Sequence, residues 1–76
     1  MKETLEVIIK NLVEFPDEIL VKEVAGDKSV VYEVKVAETD MGKVIGREGK
    51  IAAAIRTVMK ALAAKEHKKV SVEFIG

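Results

Sequence analysis

Seventy-six residues carry 13 basic and 13 acidic side chains, one histidine and no cysteine, which excludes a disulfide framework and a thiolate zinc site. A chain this short buries only about 60% of its unfolded surface, so its core must be economical. The longest uninterrupted apolar run, Ile51–Ile55, falls far below the roughly 20 residues of a membrane span. The opening Lys2-Glu3-Thr4 is not that of a signal peptide. One soluble, cytoplasmic domain over residues 1–76, without membrane association, is the expectation.

Zero net charge speaks against a polyanion binder until its distribution is considered. Residues 1–40 hold ten acidic and five basic side chains, a balance of −5. Residues 41–69 hold Lys43, Arg47, Lys50, Arg56, Lys60, Lys65, Lys68 and Lys69 against Glu48 and Glu66, a balance of +6. Such asymmetry suits one face meant for a polyanion, although a Lys/Glu-rich surface serving solubility has the same composition.

Leu5, Ile8, Ile9 and Leu12 recur at the spacing of an amphipathic helix and predict one over roughly residues 2–14. Phe15-Pro16-Asp17 ends it, because proline disfavours helical geometry in the residue before it. Residues 19–25 read as a strand, and Gly26-Asp27-Lys28-Ser29 supplies the turn of a hairpin. Val30, Tyr32, Val34 and Val36 alternate with Val31, Glu33 and Lys35, a period of two with one face buried. Thr39 or Asp40 is placed to cap a short helix through about Ile45.

A longer helix then runs to about Glu66, its apolar face formed by Ile51, Ile55, Val58, Met59 and Leu62. Val70, Val72 and Phe74 alternate as a last strand. The order α-β-β-α-α-β predicts a two-layer α+β domain, with helices packed on one face of a three-stranded sheet. Tyr32 and Phe74 fall in phase with the alternating valines and read as core residues rather than base-stacking platforms.

Between the short and long helices lies Gly42-Lys43-Val44-Ile45-Gly46-Arg47-Glu48-Gly49-Lys50. Gly46 and Gly49 permit a sharp turn and φ > 0, and leave the main-chain amides uncovered by side chains. A phosphodiester can approach such a backbone closely, and the amides opening the next helix point along its positive dipole end. Lys43, Arg47 and Lys50 add cations around the loop. Catalysis has little support. His67 sits amid lysines, Ser29 and Ser71 lack an evident base, and the acidic residues show no metal-ligand spacing. Gly42, Gly46 and Gly49 do not have the spacing of a P-loop. A non-enzyme without cofactor or metal is expected.

Val44-Ile45-Gly46-Arg47-Glu48-Gly49, set between two helices, resembles the GxxG element of KH domains, in the type II order. Asp40-Met41-Gly42-Lys43-Val44-Ile45-Gly46 and Ala54-Ile55-Arg56-Thr57 extend the likeness, and the whole chain resembles the small single-KH bacterial proteins of the KhpA family. The resemblance implies single-stranded RNA or DNA, about four nucleotides of it, gripped mainly along the backbone between the loop and the adjoining sheet edge. By position it assigns Gly46, Arg47, Glu48 and Gly49 to the loop contact. Lys43, Lys50 and Arg56 would be surrounding cations, and Ile45 and Ile55 an apolar floor beneath the bases. Ala52 stands where many KH domains carry a large aliphatic residue, which implies modest, weakly sequence-specific binding. The family also implies work as an RNA chaperone or transcript regulator. The alternative it offers is an assembly module, pairing with itself or with a larger KH protein.

Overall fold

A computed structural model describes residues 1–75; Gly76, the last position of the expected domain, lies outside the described residues. Helix α1 spans Lys2–Leu12, with Leu5 and Ile9 fully buried and Ile8 and Leu12 at the margins of the same stripe. Its end follows from local chemistry: Val13 is already extended, and Phe15, constrained by Pro16, leaves the helical region before a short 3₁₀ turn at Pro16–Glu18.

Strand β1, Leu20–Ala25, and strand β2, Ser29–Lys35, form an antiparallel hairpin in which Val21 faces Val34 and Ala25 faces Val30. The Gly26 amide closes the turn on the Ser29 carbonyl at 2.7 Å. Helix α2, Met41–Ile45, follows a 3₁₀ turn at Glu38–Asp40, and α3 covers Lys50–Lys65. Strand β3, Lys69–Ile75, pairs with β2 in parallel, so the sheet order is β1-β2-β3 with β2 central. A parallel pair requires a crossover, and α2 with α3 supplies it.

The period-two reading of β2 holds: Val30, Tyr32, Val34 and the following Val36 are all buried. Together with Val21 and Val72 they meet Leu5, Ile9, Val44, Ile55 and Met59 in one core between sheet and helices. The other sheet face is open, with Leu20, Val24 and Ile75 exposed. The fold is the expected two-layer α+β arrangement.

Two expectations are corrected. The buried sector of α3 is Ala52, Ile55, Met59 and Ala63, whereas Val58 is exposed and Ile51 only half-buried. Small alanines let the helix lie close to its neighbours, and the bulkier Ile51 and Val58 are left on the flank toward α1. Asp40 does stand at the head of α2, but its side chain caps none of that helix's amides. Its carboxylate accepts instead from the amides of Glu14 and Phe15.

Candidate nucleic-acid interface

The loop between α2 and α3 is built from main chain that only a few residue types tolerate. Gly46 has φ 77° and ψ 174°, a region essentially restricted to glycine. A Cβ there would stand 2.6 Å from Ile51 Cγ1, because the Ile51 side chain folds back over the turn. Gly49 is left-handed at φ 73° and ψ 15°, with open space where a Cβ would point. Between them Glu48, a non-glycine, is held at φ 56° and ψ 24°. The short 3₁₀ turn Arg47–Gly49 thus contains two consecutive left-handed residues.

Hydrogen bonding accounts for only part of this turn. The Gly46 amide donates to the Gly42 carbonyl at 2.9 Å, closing α2, and the Gly49 amide donates to the Gly46 carbonyl at 3.2 Å. The amides of Arg47 and Glu48 have no acceptor among the described residues, and both side chains are exposed. Unpaired donors at this corner, beside an exposed guanidinium and an exposed Lys50, are chemically suited to donating to phosphate oxygens.

The expected cations are not equivalent. Lys43 turns away from a free position: its Nζ lies 3.3 Å from Glu14 Oε2 and 3.5 Å from Asp40 Oδ1. Glu14 first, and Asp40 after it, hold that ammonium above the ordinary lysine range despite some desolvation. Arg47 and Lys50 form no ion pair among the described residues. Arg56 is fixed on α3, where its Nε donates to the Val72 carbonyl at 3.1 Å and its guanidinium lies 5.6 Å from the Phe74 ring centroid.

Arg56 also reveals the sheet edge. The Lys69 amide donates to the Lys28 carbonyl at 2.8 Å, so odd-numbered residues of β3 turn their main-chain groups toward β2. Val70, Val72 and Phe74 therefore turn theirs outward, and Arg56 occupies one of those carbonyls. Between this edge and α3 lies a channel segment of about 300 Å³, lined by Arg56, Lys60 and Val70–Glu73.

Ile45 is half-buried beside the loop. Ile55, expected in the same role, is 4% exposed and part of the core. What remains free of it faces an apolar groove with Ile8, Leu12, Ile51, Ala54 and Val58, on the α1 flank of α3 and away from the β3 channel. Helical phase explains this: Arg56 and Ile55 are one residue apart and so about 100° apart around the axis. The resemblance names Arg56 and an adjoining sheet edge; that Arg56 is fixed on the Val72 carbonyl and that the edge is the outward side of β3 is read only from the structure.

A mixed three-stranded sheet with one helical face, joined to a helix–GxxG–helix corner, defines a KH domain. The chain belongs to the family described as KhpA/KhpB, KH domain, whose model matches residues 2–74. It is similar to the RNA-binding protein KhpA of Clostridium acetobutylicum, with 60% identity over 75 residues that cover 99% of this chain and 100% of the relative. The RNA-binding protein KhpA of Clostridium perfringens is 57% identical over the same shares. That of Chlamydia trachomatis is 47% identical over 99% of this chain and 96% of its own length.

Proposed function

We propose that this chain is a non-enzymatic, single-stranded RNA-binding protein that grips about four nucleotides at the Gly46–Gly49 corner and acts on transcripts as a chaperone or regulator. The observation that carries the reading is the pair of unpartnered amides at Arg47 and Glu48, set between two positive-φ glycines in the basic half of the chain. Arg47 and Lys50 supply charge at the corner, Ile45 an apolar wall, and the outward edge of β3 donors and acceptors for base edges. Lys43, tied to Glu14 and Asp40, contributes through its field rather than by direct contact. Full-length relatives named as RNA-binding proteins support the same reading.

Anisotropy titration with a short unstructured RNA tests it. The double variant Arg47→Asp/Glu48→Asp is expected to lose binding while circular dichroism stays native; undiminished binding overturns the proposal. With about three phosphates contacted, log K should fall against log salt with a slope of roughly −2. A single-stranded DNA of the same sequence, bound more weakly, would indicate contacts to the 2′-hydroxyl.

A second reading, pairing with another KH domain, is favoured by the apolar groove between α1 and α3. Ile8, Leu12, Ile51, Ala54 and Val58 leave about 400 Å³ of it open. A second copy of this chain, offering the same surface, is the proposed occupant, and a larger KH protein is the alternative one. Sedimentation velocity at micromolar concentration should show a dimer that Val58→Glu converts to monomer. A wild-type monomer at every concentration rejects self-pairing and leaves the RNA assignment standing.

A further inference from the structure

The chain has 13 basic and 13 acidic side chains to pair, yet both ion pairs among the described residues end on Lys43. Its Nζ donates a hydrogen bond to Glu14 Oε2 at 3.3 Å and lies 3.5 Å from Asp40 Oδ1. The two anions play different parts. Asp40 is fully buried and already accepts the amides of Glu14 and Phe15, so its charge is satisfied inside the fold. Glu14 presents an exposed carboxylate whose one partner among the described residues is Lys43.

Position makes this pair consequential. Lys43 precedes Gly46 by three residues, a rise of about 4.5 Å along α2, and ends in a compact cation on a flexible stem. Glu14 is remote from the corner in sequence, but the bond from its own amide to Asp40 fixes its backbone beside the head of α2. Its carboxylate is thereby kept within reach of the lysine. Glu14 also does more than Asp40 to hold that ammonium above the ordinary lysine range.

We infer that Glu14 is a restraint on RNA affinity, holding Lys43 back from the strand at the Gly46–Gly49 corner so that one phosphate contact stays unmade. This deepens the RNA-binding reading and rests on it. An exposed pair contributes little to folding and is open to exchange. A phosphate oxygen offers the ammonium the same charge-assisted bond as the carboxylate does. While Glu14 is present, turning to phosphate leaves that carboxylate without its counter-ion, and the two partners compete on similar terms. Without the Glu14 charge only the longer Asp40 contact remains, and the balance moves to phosphate.

The test is a double-variant cycle, read by anisotropy on a fluorescein-labelled oligouridylate of about four nucleotides, the length one corner holds. Glu14→Gln should bind roughly threefold tighter than wild type, the scale of one exposed pair. Its salt slope should steepen by about 0.7, for one further phosphate on a single strand. In a Lys43→Gln background the same Glu14 change should give neither gain. Glu6→Gln removes an exposed acid of α1 that has no ion pair among the described residues, and should leave the slope as it is. None of these changes touches the residue 14 amide, so the Asp40 clasp and the melting temperature should stay native.

A gain of equal size in both backgrounds overturns the restraint, because the lost acid's field alone would then explain it. So does a wild-type slope that already falls by about 0.7 in Lys43→Gln, which would place that lysine on the strand. Wild-type protein that binds the probe, with Glu14→Gln no tighter, rejects the restraint alone. Failure of the wild type and every variant to bind rejects the RNA-binding reading itself.

Discussion

The carboxylate of Asp40, wholly shielded from solvent, accepts the Phe15 amide at 2.9 Å across 25 residues of chain. Its other oxygen accepts the Glu14 amide at 3.0 Å. These two bonds pin the segment after α1 to the head of α2, the helix that delivers the chain into Gly46. Lys43, one turn along α2, completes the knot through Glu14 and Asp40. The glycine corner thus takes its position relative to α1 from a polar clasp as well as from the core.

Removing that clasp should be costly. Asp40→Ala takes the acceptor from the two part-buried bonds of Glu14 and Phe15 and is expected to lower the melting temperature by roughly 5 °C for a chain of this size. Burial alone would raise the Asp40 pKa, but the Glu14 and Phe15 amides, then Lys43, outweigh it and hold the group below the usual carboxylate range. A carboxyl group depressed in the folded state contributes stability that is complete above its unfolded value, about pH 4, and is lost as pH falls through the lower folded value. Thermal melts between pH 6 and pH 2, endpoints chosen to span about two units on either side of that value, should therefore show a smaller acid-side decline for Asp40→Asn than for wild type. Parallel curves would remove this role from Asp40.

The two glycines of the corner should respond differently to alanine. Gly46→Ala places a Cβ against Ile51 in a backbone region that other residues avoid, and should cost about 3 kcal/mol in urea unfolding. Gly49→Ala meets no neighbour and carries only the left-handed penalty, about 1 kcal/mol. The order is the critical result: Gly49→Ala proving the more damaging would mean that Ile51 does not confine Gly46.

Glu48 holds a left-handed conformation that costs a non-glycine residue energy, and it puts an anion beside unpaired amides. Glu48→Gly is expected to raise stability by about 1 kcal/mol, or slightly less once the freer unfolded chain is counted. RNA affinity should rise severalfold in the same variant. Weaker RNA binding at undiminished stability would instead make the Glu48 side chain part of the contact.

Tyr32 lies under the helices, 1% exposed and paired across the hairpin with Glu23. Burial first, then the Glu23 carboxylate, pushes its hydroxyl above the ordinary phenol range. A group raised in the folded state contributes stability that is complete below its unfolded value, about pH 10, and is lost as pH climbs toward the folded one. Tyr32→Phe should flatten the alkaline limb of a stability curve measured upward from about pH 9, a unit below that value. An unchanged slope would show that other groups govern alkaline unfolding.

The element order was legible because each segment announces its period: Leu5, Ile8, Ile9 and Leu12 for a helix, Val30 to Val36 for a buried strand. Pro16 and Gly26 marked two of the breaks by backbone chemistry alone. The corner was legible for the same reason, since Gly46 and Gly49 are needed wherever main chain must turn at positive φ. Ile55 fell on the buried stripe as its spacing required, whereas the floor role that the resemblance gave it has little exposed surface to work with. Val58 had the right spacing for burial but lies beyond the edge of the contact. Asp40 was assigned to the nearest helix end, whereas its partners are amides 25 and 26 residues earlier in the chain.

By itself the chain of residues determined the elements, the glycine corner and the concentration of positive charge after residue 40. These depend on local backbone preference and on composition, which act over a few residues. Only the folded arrangement decided that Lys43 is paired with Glu14 and Asp40 while Arg47 and Lys50 enter no ion pair among the described residues, that Arg56 covers an edge carbonyl of β3, and that Asp40 clasps the segment after α1. Those outcomes depend on distances between segments remote in sequence, and such distances exist only once α3 has been laid across the sheet.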